Sequence, residues 1–244
     1  MIGADALGLA RSLAIYYGVP GRSRRLRRFY ASFLKPGDLC FEIGAHVGHR
    51  LAAALAIGAR VVALEPQPSC QRLLHRLYGG NPRATLSAEA VGEHPGTAIL
   101  RISRATPTVS SLDADWIGTV RRDPGFRRVT WDRRIEVPVT TLDSLIARHG
   151  IPAYVKLDIE GSEPAALRGL TLPLPHLSFE ALPAAPASAV SCIDRLDALG
   201  RYRFNLVRGE TARFAWPDWI DGDLLRALLG RESGSADVHA RLER

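Results

Sequence analysis

The sequence has few of the features that mark a secreted, metal-clustered or membrane-spanning protein. Its 244 residues include three cysteines, Cys40, Cys70 and Cys192, an odd and widely spaced set that encodes neither a disulfide framework nor a zinc site. A reducing cytoplasm is therefore the expected setting. The most apolar run, Leu51 to Ile57, is too short to cross a bilayer, and no basic residue precedes Arg11. Neither a membrane span nor a secretory signal is predicted.

Lysine is also scarce. Lys35 and Lys156 are the two lysines among 32 basic residues, which give a formal charge of +7 and a pI near 9.8. The arginines form two clusters, Arg22, Arg24, Arg25, Arg27 and Arg28, and the pairs Arg121/Arg122, Arg127/Arg128 and Arg133/Arg134. Each cluster is either an anion-binding patch or a solvated face, and we favour the solvated face. Nucleic acid is thus disfavoured as a partner, and weak contact with a membrane surface stays open.

The chain is long enough to bury one sizeable core. Residues 1–36 are predicted to form an N-terminal helical cap segment that ends at Pro36-Gly37, and residues 37–244 the main domain. In the main domain, short apolar strands alternate with helices, which is typical of parallel βαβ units. Strands are predicted at 39–43, 60–64, 85–91, 97–102, 135–139, 154–159, 177–180, 201–207 and 211–216. The expected fold is a doubly wound, mostly parallel α/β sheet with an antiparallel pair at one edge.

A glycine-containing turn follows the first predicted strand. Gly44 permits close approach of the backbone to a ligand, and the next helix offers free N–H groups at its start. A dinucleotide site would need glycines where His46 and His49 stand, and the Gly-Lys-Ser/Thr ending of a phosphate-binding loop is missing. Glu42 suits a cationic ligand better than a pyrophosphate, and S-adenosylmethionine carries both an amino group and a sulfonium.

A second carboxylate, Glu65, ends the second strand 23 residues after Glu42. In nucleotide-binding sheets, an acidic residue roughly 20 residues past the glycine turn binds the ribose diol. We therefore predict that Glu42 faces the amino-acid end of S-adenosylmethionine and Glu65 the ribose. The alternative for Glu65 is a charge that stabilises the start of the following helix.

A later group of charges lies on and after the strand at 154–159. Lys156, Asp158 and Glu160 alternate, so they share one side of that strand. Charges at the end of an interior strand are costly unless paired or functional. Asp158 and Glu160 are thus predicted at the ligand-binding edge of the sheet, with Lys156 paired to a carboxylate. Glu163 is either a helix-start charge or a pocket residue, and Glu180 ends the next strand at the same edge.

As a set, these segments resemble the FkbM-type methyltransferases. The matching segments are Phe41-Glu-Ile-Gly-Ala-His-Val-Gly48, Val62-Ala-Leu-Glu-Pro-Gln-Pro68, Glu89-Ala-Val-Gly92, Ser110-Ser-Leu112, Thr141-Leu-Asp143, Val155-Lys-Leu-Asp-Ile-Glu-Gly-Ser-Glu163 and Phe179-Glu180. They lie in order over roughly residues 37–182. Two positions depart from the family pattern, since His46 stands where Asn is usual and Glu42 where Asp is common.

The resemblance implies a class I methyltransferase with a Rossmann-like fold that uses S-adenosylmethionine, commonly to O-methylate hydroxyls of sugars or natural products. The predicted cofactor-binding residues are Glu42, Gly44, Ala45, His46, Gly48, Glu65, Pro66, Glu89, Ala90 and Asp158. Glu160, Glu163 and Glu180 are predicted to contact a small-molecule or glycan substrate.

Removal of the acceptor proton needs a base, for which Asp158 comes first, followed by Glu160 and His46. His46 is otherwise only a turn residue, which we favour. Asp158 and Glu160 could instead hold a divalent cation. Two other functions stay open: an RNA-binding or RNA-modifying methyltransferase that uses the arginine clusters, and a non-catalytic scaffold with a cofactor-binding fold.

Overall fold

A computed structural model of the chain describes residues 3–243. Its strands are β1 (Leu39–Ile43), β2 (Arg60–Leu64), β3 (Ala84–Ser87), β4 (Ala90–Val91), β5 (Gly96–Ile102), β6 (Arg133–Thr140), β7 (Tyr154–Leu157), β8 (His176–Ala181), β9 (Tyr202–Arg208) and β10 (Ala236–Leu242). Its helices are α1 (Ala4–Tyr17), α2 (Arg22–Tyr30), α3 (His49–Ala56), α4 (Pro68–Tyr78), α5 (Ala114–Val120), α6 (Leu142–His149), α7 (Glu163–Arg168), α8 (Pro186–Leu199) and α9 (Gly222–Leu229).

A seven-stranded sheet runs in the order β3-β2-β1-β7-β8-β10-β9. Neighbouring strands are parallel except at β10, which pairs antiparallel with both β8 and β9. The prediction of a mostly parallel sheet with an antiparallel edge is confirmed. The antiparallel strand β10 is the second strand from this edge, and β9 is the outermost strand.

β1 lies at the centre of this sheet and is buried along its whole length. Successive side chains on a strand point to opposite faces. Accordingly, Phe41 and Ile43 pack into the apolar core that contains residues of α6 to α9, whereas Cys40 packs into a second core with residues of α2 to α4. Both faces of the sheet are therefore covered, and its functional edge is left at the carboxyl ends of the strands.

The predicted strand at 85–91 is divided between two sheets. β3 pairs with β2, whereas β4 joins a smaller sheet of order β4-β6-β5. The two residues between β3 and β4 include Glu89, whose carboxylate accepts hydrogen bonds from Ser87 Oγ at 2.9 Å and Arg148 Nη2 at 3.0 Å. The chain turns there and places Glu89 beside the carboxyl ends of the main strands.

The predicted strand at 211–216 is wrong. That segment is a loop in which Ala212 has a φ of 50° and the Asn205 amide donates to the Trp216 carbonyl at 2.9 Å. The strand that pairs with β9 is β10, where Ala236, Val238 and Ala240 alternate with polar residues. Asp237 and His239 are polar but buried, so the composition of β10 does not mark it as an interior strand.

The N-terminal helical segment consists of two helices rather than one run. Gly18, Pro20 and Gly21 separate them, and Gly21 has a φ of 77° that suits glycine. α2 packs against α3 through Leu26, Phe29 and Tyr30. The division of the chain at residues 36 and 37 stays a prediction. Among the described residues, no helix is long and apolar enough to cross a membrane.

Candidate active site

One pocket opens at the carboxyl ends of β1, β2 and β7, and its empty volume is about 800 Å³. Most of the predicted cofactor residues line it, namely Glu42, Gly44, Ala45, His46, Glu65, Pro66, Glu89, Ala90 and Asp158. Glu160 also lines it, whereas Gly48, Glu163 and Glu180 do not belong to this lining. Residues that are distant in sequence but predicted to act together are thus brought into one cavity.

The glycine turn after β1 is fixed by the neighbouring loop. Gly44 has a φ of 88°, and a Cβ at this position would collide with the backbone carbonyl of Asp158. Gly48 has a φ of 78° and starts α3, where a Cβ would lie 2.8 Å from both Leu74 and Tyr78. Gly44 therefore lets the ends of β1 and β7 meet, and Gly48 serves helix packing behind the pocket.

Glu65 is held in place by the backbone. Its Oε2 accepts from the His46 N–H and its Oε1 from the Gln67 N–H, both at 2.8 Å. Burial raises the pKa of Glu65 to about 7, although these hydrogen bonds act in the opposite direction. Each carboxylate oxygen keeps a further lone pair. The side chain is therefore orientated in advance and has acceptors left for ligand hydroxyls.

Glu42 is buried at the end of β1, where Tyr30 of α2 donates to its Oε1 at 3.1 Å. Burial raises the pKa of Glu42 to about 7, against the opposing effects of Arg50 and of the Tyr30 hydroxyl. A buried carboxylate gains most from a positive ligand group. This environment agrees with the prediction that Glu42 faces a cation.

His46 sits in the turn with a φ of 50°, and its Nδ1 lies 3.5 Å from the Cys70 Sγ. Burial lowers the pKa of His46 to about 4, although the nearby Asp158 carboxylate raises it. An imidazole with so low a pKa is a weak base at neutral pH. The geometry thus favours the turn role over the general-base role, which stays untested.

Replacement of His46 by asparagine is expected to make stability less dependent on pH. The pKa of His46 is about 4 in the folded protein and 6.5 in the unfolded chain, so the unfolded chain binds a proton first as the pH falls. The wild type therefore loses stability towards acid pH. From about pH 7 to pH 5 the loss relative to His46→Asn should reach about 1–2 kcal/mol, measured by denaturant unfolding. Asparagine also tolerates the left-handed backbone. Stability curves that stay parallel would contradict the assignment.

Asp158 is half-buried and joins a network of charges whose other members include the buried Lys156 and Asp237. Arg50 Nε and Lys156 Nζ each lie 3.7 Å from its Oδ2, and Lys156 Nζ also donates to Asp237 Oδ1 at 2.8 Å. Arg50 Nη2 lies 3.2 Å from Asp237 Oδ2. The predicted pairing of Lys156 with a carboxylate is observed, and the two cations offset the cost of a charge on Asp158.

Three carboxylates meet beside this network. Oxygens of Asp158, Glu160 and Glu180 all lie within 4.8 Å of one another. Burial raises the pKa of Glu160 and of Glu180 well above the ordinary range, and the neighbouring carboxylates add to the effect. Such crowding is relieved by protons, by a cation or by ligand donors. The metal prediction for Asp158 and Glu160 stays untested, and the structure adds Glu180 as a third donor.

Glu163 lies at the start of α7, behind the pocket wall. Its Oε1 accepts from the Ile159 N–H at 3.0 Å and its Oε2 from the Gly161 N–H at 2.9 Å. Both oxygens thus hold the loop that carries Glu160, which has a φ of 53°. Glu163 is therefore a helix-start residue that holds this loop, and it does not line the pocket.

The side of the pocket beside β2 is closed by residues of the smaller sheet and by the loop that follows β5. The Gln67 amide donates to the Pro107 carbonyl at 3.1 Å and accepts from Ser110 Oγ at 3.0 Å. Leu100 and Leu112 add apolar surface near Glu89 and Ala90. A flat, apolar group with polar edges fits this side.

The lining residues that sequence reasoning missed include three with polar or aromatic side chains close to the glycine turn, Tyr16, His49 and Arg50. Tyr16 comes from α1, and its ring stacks on that of His49 with centroids 4.1 Å apart. Arg50 and His49 directly follow the glycine turn, a position that could have marked them as pocket residues. Tyr16 carries no comparable signal, because only the packing of α1 brings it to the pocket.

The first arginine cluster lies on the outer face of α2. Its exposed members are Arg24, Arg25, Arg27 and Arg28. In the second cluster, Arg133 lies 3.5 Å from Asp5 and Arg121 packs 5.1 Å from the centre of the Trp131 ring. The interpretation as solvated faces stays a prediction.

The strand order and the pocket at the carboxyl edge define a class I methyltransferase fold. A TehB-like SAM-dependent methyltransferase from Corynebacterium glutamicum has this fold, with a TM-score of 0.50 and 9% identity over 96% of this chain and 94% of that one. The model of the methyltransferase FkbM domain matches residues 42–228, and the chain belongs to this family.

A curated relative is the 31-O-demethyl-FK506 methyltransferase FkbM of Streptomyces tacrolimicus, which is 30% identical over 165 residues. The match covers 56% of this chain and 61% of that protein, less than two thirds of its length. The family prediction from the sequence motifs is confirmed.

Proposed function

We propose that the chain transfers a methyl group from S-adenosylmethionine to a hydroxyl of a sugar, a glycan or a natural product. The observation that supports this most is the meeting of Glu42, Glu65 and Asp158, from the ends of three neighbouring strands, in one pocket. The name of the S. tacrolimicus relative describes methylation at an oxygen, which agrees with a hydroxyl acceptor.

The lining fits the cofactor chemically. Glu65 would bind the ribose hydroxyls, Glu89 and Ala90 the adenine, and Glu42 the α-ammonium group. Of seven buried side-chain polar atoms without a hydrogen-bond partner in the described part of the chain, five belong to lining residues: His46 Nε2, both ring nitrogens of His49, Ser162 Oγ, and Arg50 Nε, whose contact with Asp158 at 3.7 Å is an ion pair only. Buried polar groups normally have partners, so this concentration points to a polar ligand.

The bound cofactor would supply a methyl group on a sulfonium, and its transfer to an acceptor oxygen, with the neutral thioether as leaving group, would need little covalent help from the protein. As the S–CH₃ bond breaks and the O–CH₃ bond forms, the hydroxyl proton must leave. Asp158 is the acceptor that we assign, because it lines the pocket and its charge is compensated by Arg50 and Lys156. Glu160 also lines the pocket, and its raised pKa favours the protonated form, which could donate to an acceptor oxygen.

The proposal is tested in two steps. Calorimetry should show binding of S-adenosylhomocysteine and no binding of NAD. A screen of hydroxylated glycans and metabolites with methyl-labelled S-adenosylmethionine should then give a product with the label on oxygen. Absence of S-adenosylhomocysteine binding would remove the cofactor assignment, and label on nitrogen or carbon would remove the hydroxyl acceptor.

A divalent cation at Asp158, Glu160 and Glu180 is a separate prediction. If it binds, Mg²⁺ or Mn²⁺ added to chelator-treated protein should raise the melting temperature by about 2–4 °C at saturating concentration. The shift should be lost in Glu180→Gln, which leaves the pocket lining intact. Equal melting temperatures with and without the ions would indicate that bound protons, rather than a cation, reduce the repulsion among these carboxylates.

A further inference from the structure

His49 is the first residue of α3 and is buried, with 9% of its surface exposed. Neither ring nitrogen has a hydrogen-bond partner among residues 3–243. Its side chain nevertheless lines the pocket together with Arg50 and Glu42. A buried side chain with two polar atoms left unpaired indicates that a ligand supplies a missing partner.

The ring of His49 is held from one side by the N-terminal helix. Tyr16 stacks on it at 4.1 Å with an interplanar angle of 19°, and the same tyrosine meets the edge of His46 at 5.9 Å. Tyr16 lies outside the residues 42–228 that match the family. The orientation of His49 therefore depends on a part of this chain that the family model does not cover.

His49 is uncharged under ordinary conditions. Burial lowers its pKa well below the ordinary range, and the positive charge of Arg50 acts in the same direction. A neutral imidazole has one N–H donor and one acceptor nitrogen. The start of a helix and the neighbouring Arg50 both favour an anion at this place, so a carboxylate is the group that the N–H would meet.

We propose that the ring N–H of His49 binds the α-carboxylate of the S-adenosylmethionine amino-acid moiety, while Tyr16 orients the ring. The inference rests on the function proposed above and deepens it. Glu42 lines the same pocket and is the residue proposed above for the ammonium group, so the two ends of the zwitterion would meet complementary groups. Both ring nitrogens are closed to solvent, so the proposal requires Tyr16 and His49 to shift slightly when the ligand enters.

The test compares two ligands that differ only at the amino-acid end. S-adenosylhomocysteine has the α-carboxylate, and 5′-methylthioadenosine has the same nucleoside and thioether without it. His49→Phe keeps a ring for stacking on Tyr16 but removes both nitrogens. By calorimetry, this variant should bind S-adenosylhomocysteine about 10- to 100-fold more weakly, as expected for loss of a charged hydrogen bond, and 5′-methylthioadenosine within about twofold of wild type.

The exposed His94 provides a matched control, since His94→Phe should leave both affinities unchanged. His49→Gln retains an amide donor and should recover part of the lost affinity, and His49→Leu supplies the same comparison if the phenylalanine variant does not fold. Equal weakening of both ligands, or no weakening of either, would overturn the role of His49. A wild type that binds neither ligand would instead overturn the proposed function and this inference with it.

Discussion

Replacement of Glu65 by alanine is expected to weaken S-adenosylhomocysteine binding by at least about 100-fold, because two charged hydrogen bonds to the ribose would be lost. The substitution also leaves the N–H groups of His46 and Gln67 without their acceptors, so the glycine turn loses its fixed position. Calorimetry on the variant, with circular dichroism to verify folding, measures this effect.

Two further variants separate the ribose contact from damage to the turn. Glu136→Ala, on the exposed side of β6, should bind like wild type. Glu65→Gln should lie between wild type and Glu65→Ala, because one acceptor becomes an NH₂ group that faces a backbone N–H. If Glu65→Ala bound within about threefold of wild type, Glu65 would not be the ribose ligand.

Replacement of Asp158 by asparagine should lower kcat by about 100- to 10,000-fold, since the amide cannot accept the hydroxyl proton. Binding of S-adenosylhomocysteine, which lacks the sulfonium charge, should change by no more than a few-fold. Initial rates with the acceptor identified by the screen, at saturating S-adenosylmethionine, measure the loss.

Glu160→Gln is the matched comparison, because glutamine resembles the protonated carboxyl that the raised pKa indicates at this position. Its kcat should stay within about tenfold of wild type. If kcat fell further in Glu160→Gln than in Asp158→Asn, Glu160 rather than Asp158 would be the proton acceptor.

The sequence predicted the elements at the centre of the molecule well. β1 and β2 are short apolar runs with an acidic residue near the carboxyl end, Glu42 one residue before the end of β1 and Glu65 directly after β2. Parallel strands must bring these two residues to the same edge. Asp158 and Glu160 are also predicted at this edge, but the strand at 154–159 along which they were expected to alternate is too long. β7 ends at Leu157, and both residues lie in the loop that follows, where Glu160 has a φ of 53°. Periodicity and strand ends are local signals, so these positions needed no knowledge of tertiary packing.

Other parts depended on contacts that no local pattern reveals. The pairing of β10 between β8 and β9 was missed because Asp237 and His239 give the strand a polar composition, although both are buried. Tyr16 reaches the pocket only through the packing of α1. Glu163 has the same residue type as the pocket carboxylates, and only its hydrogen bonds to Ile159 and Gly161 reveal its structural role.

The position of β10 also constrains how the chain folds during synthesis. β8 and β9 are made first but do not pair with each other, because their shared neighbour is Ala236–Leu242. Until those residues leave the ribosome, two strand edges are exposed, and unpaired edges invite association with other chains. The Lys156–Asp237 ion pair beside the pocket forms only at this last step, so the completed sheet and the completed site arise together.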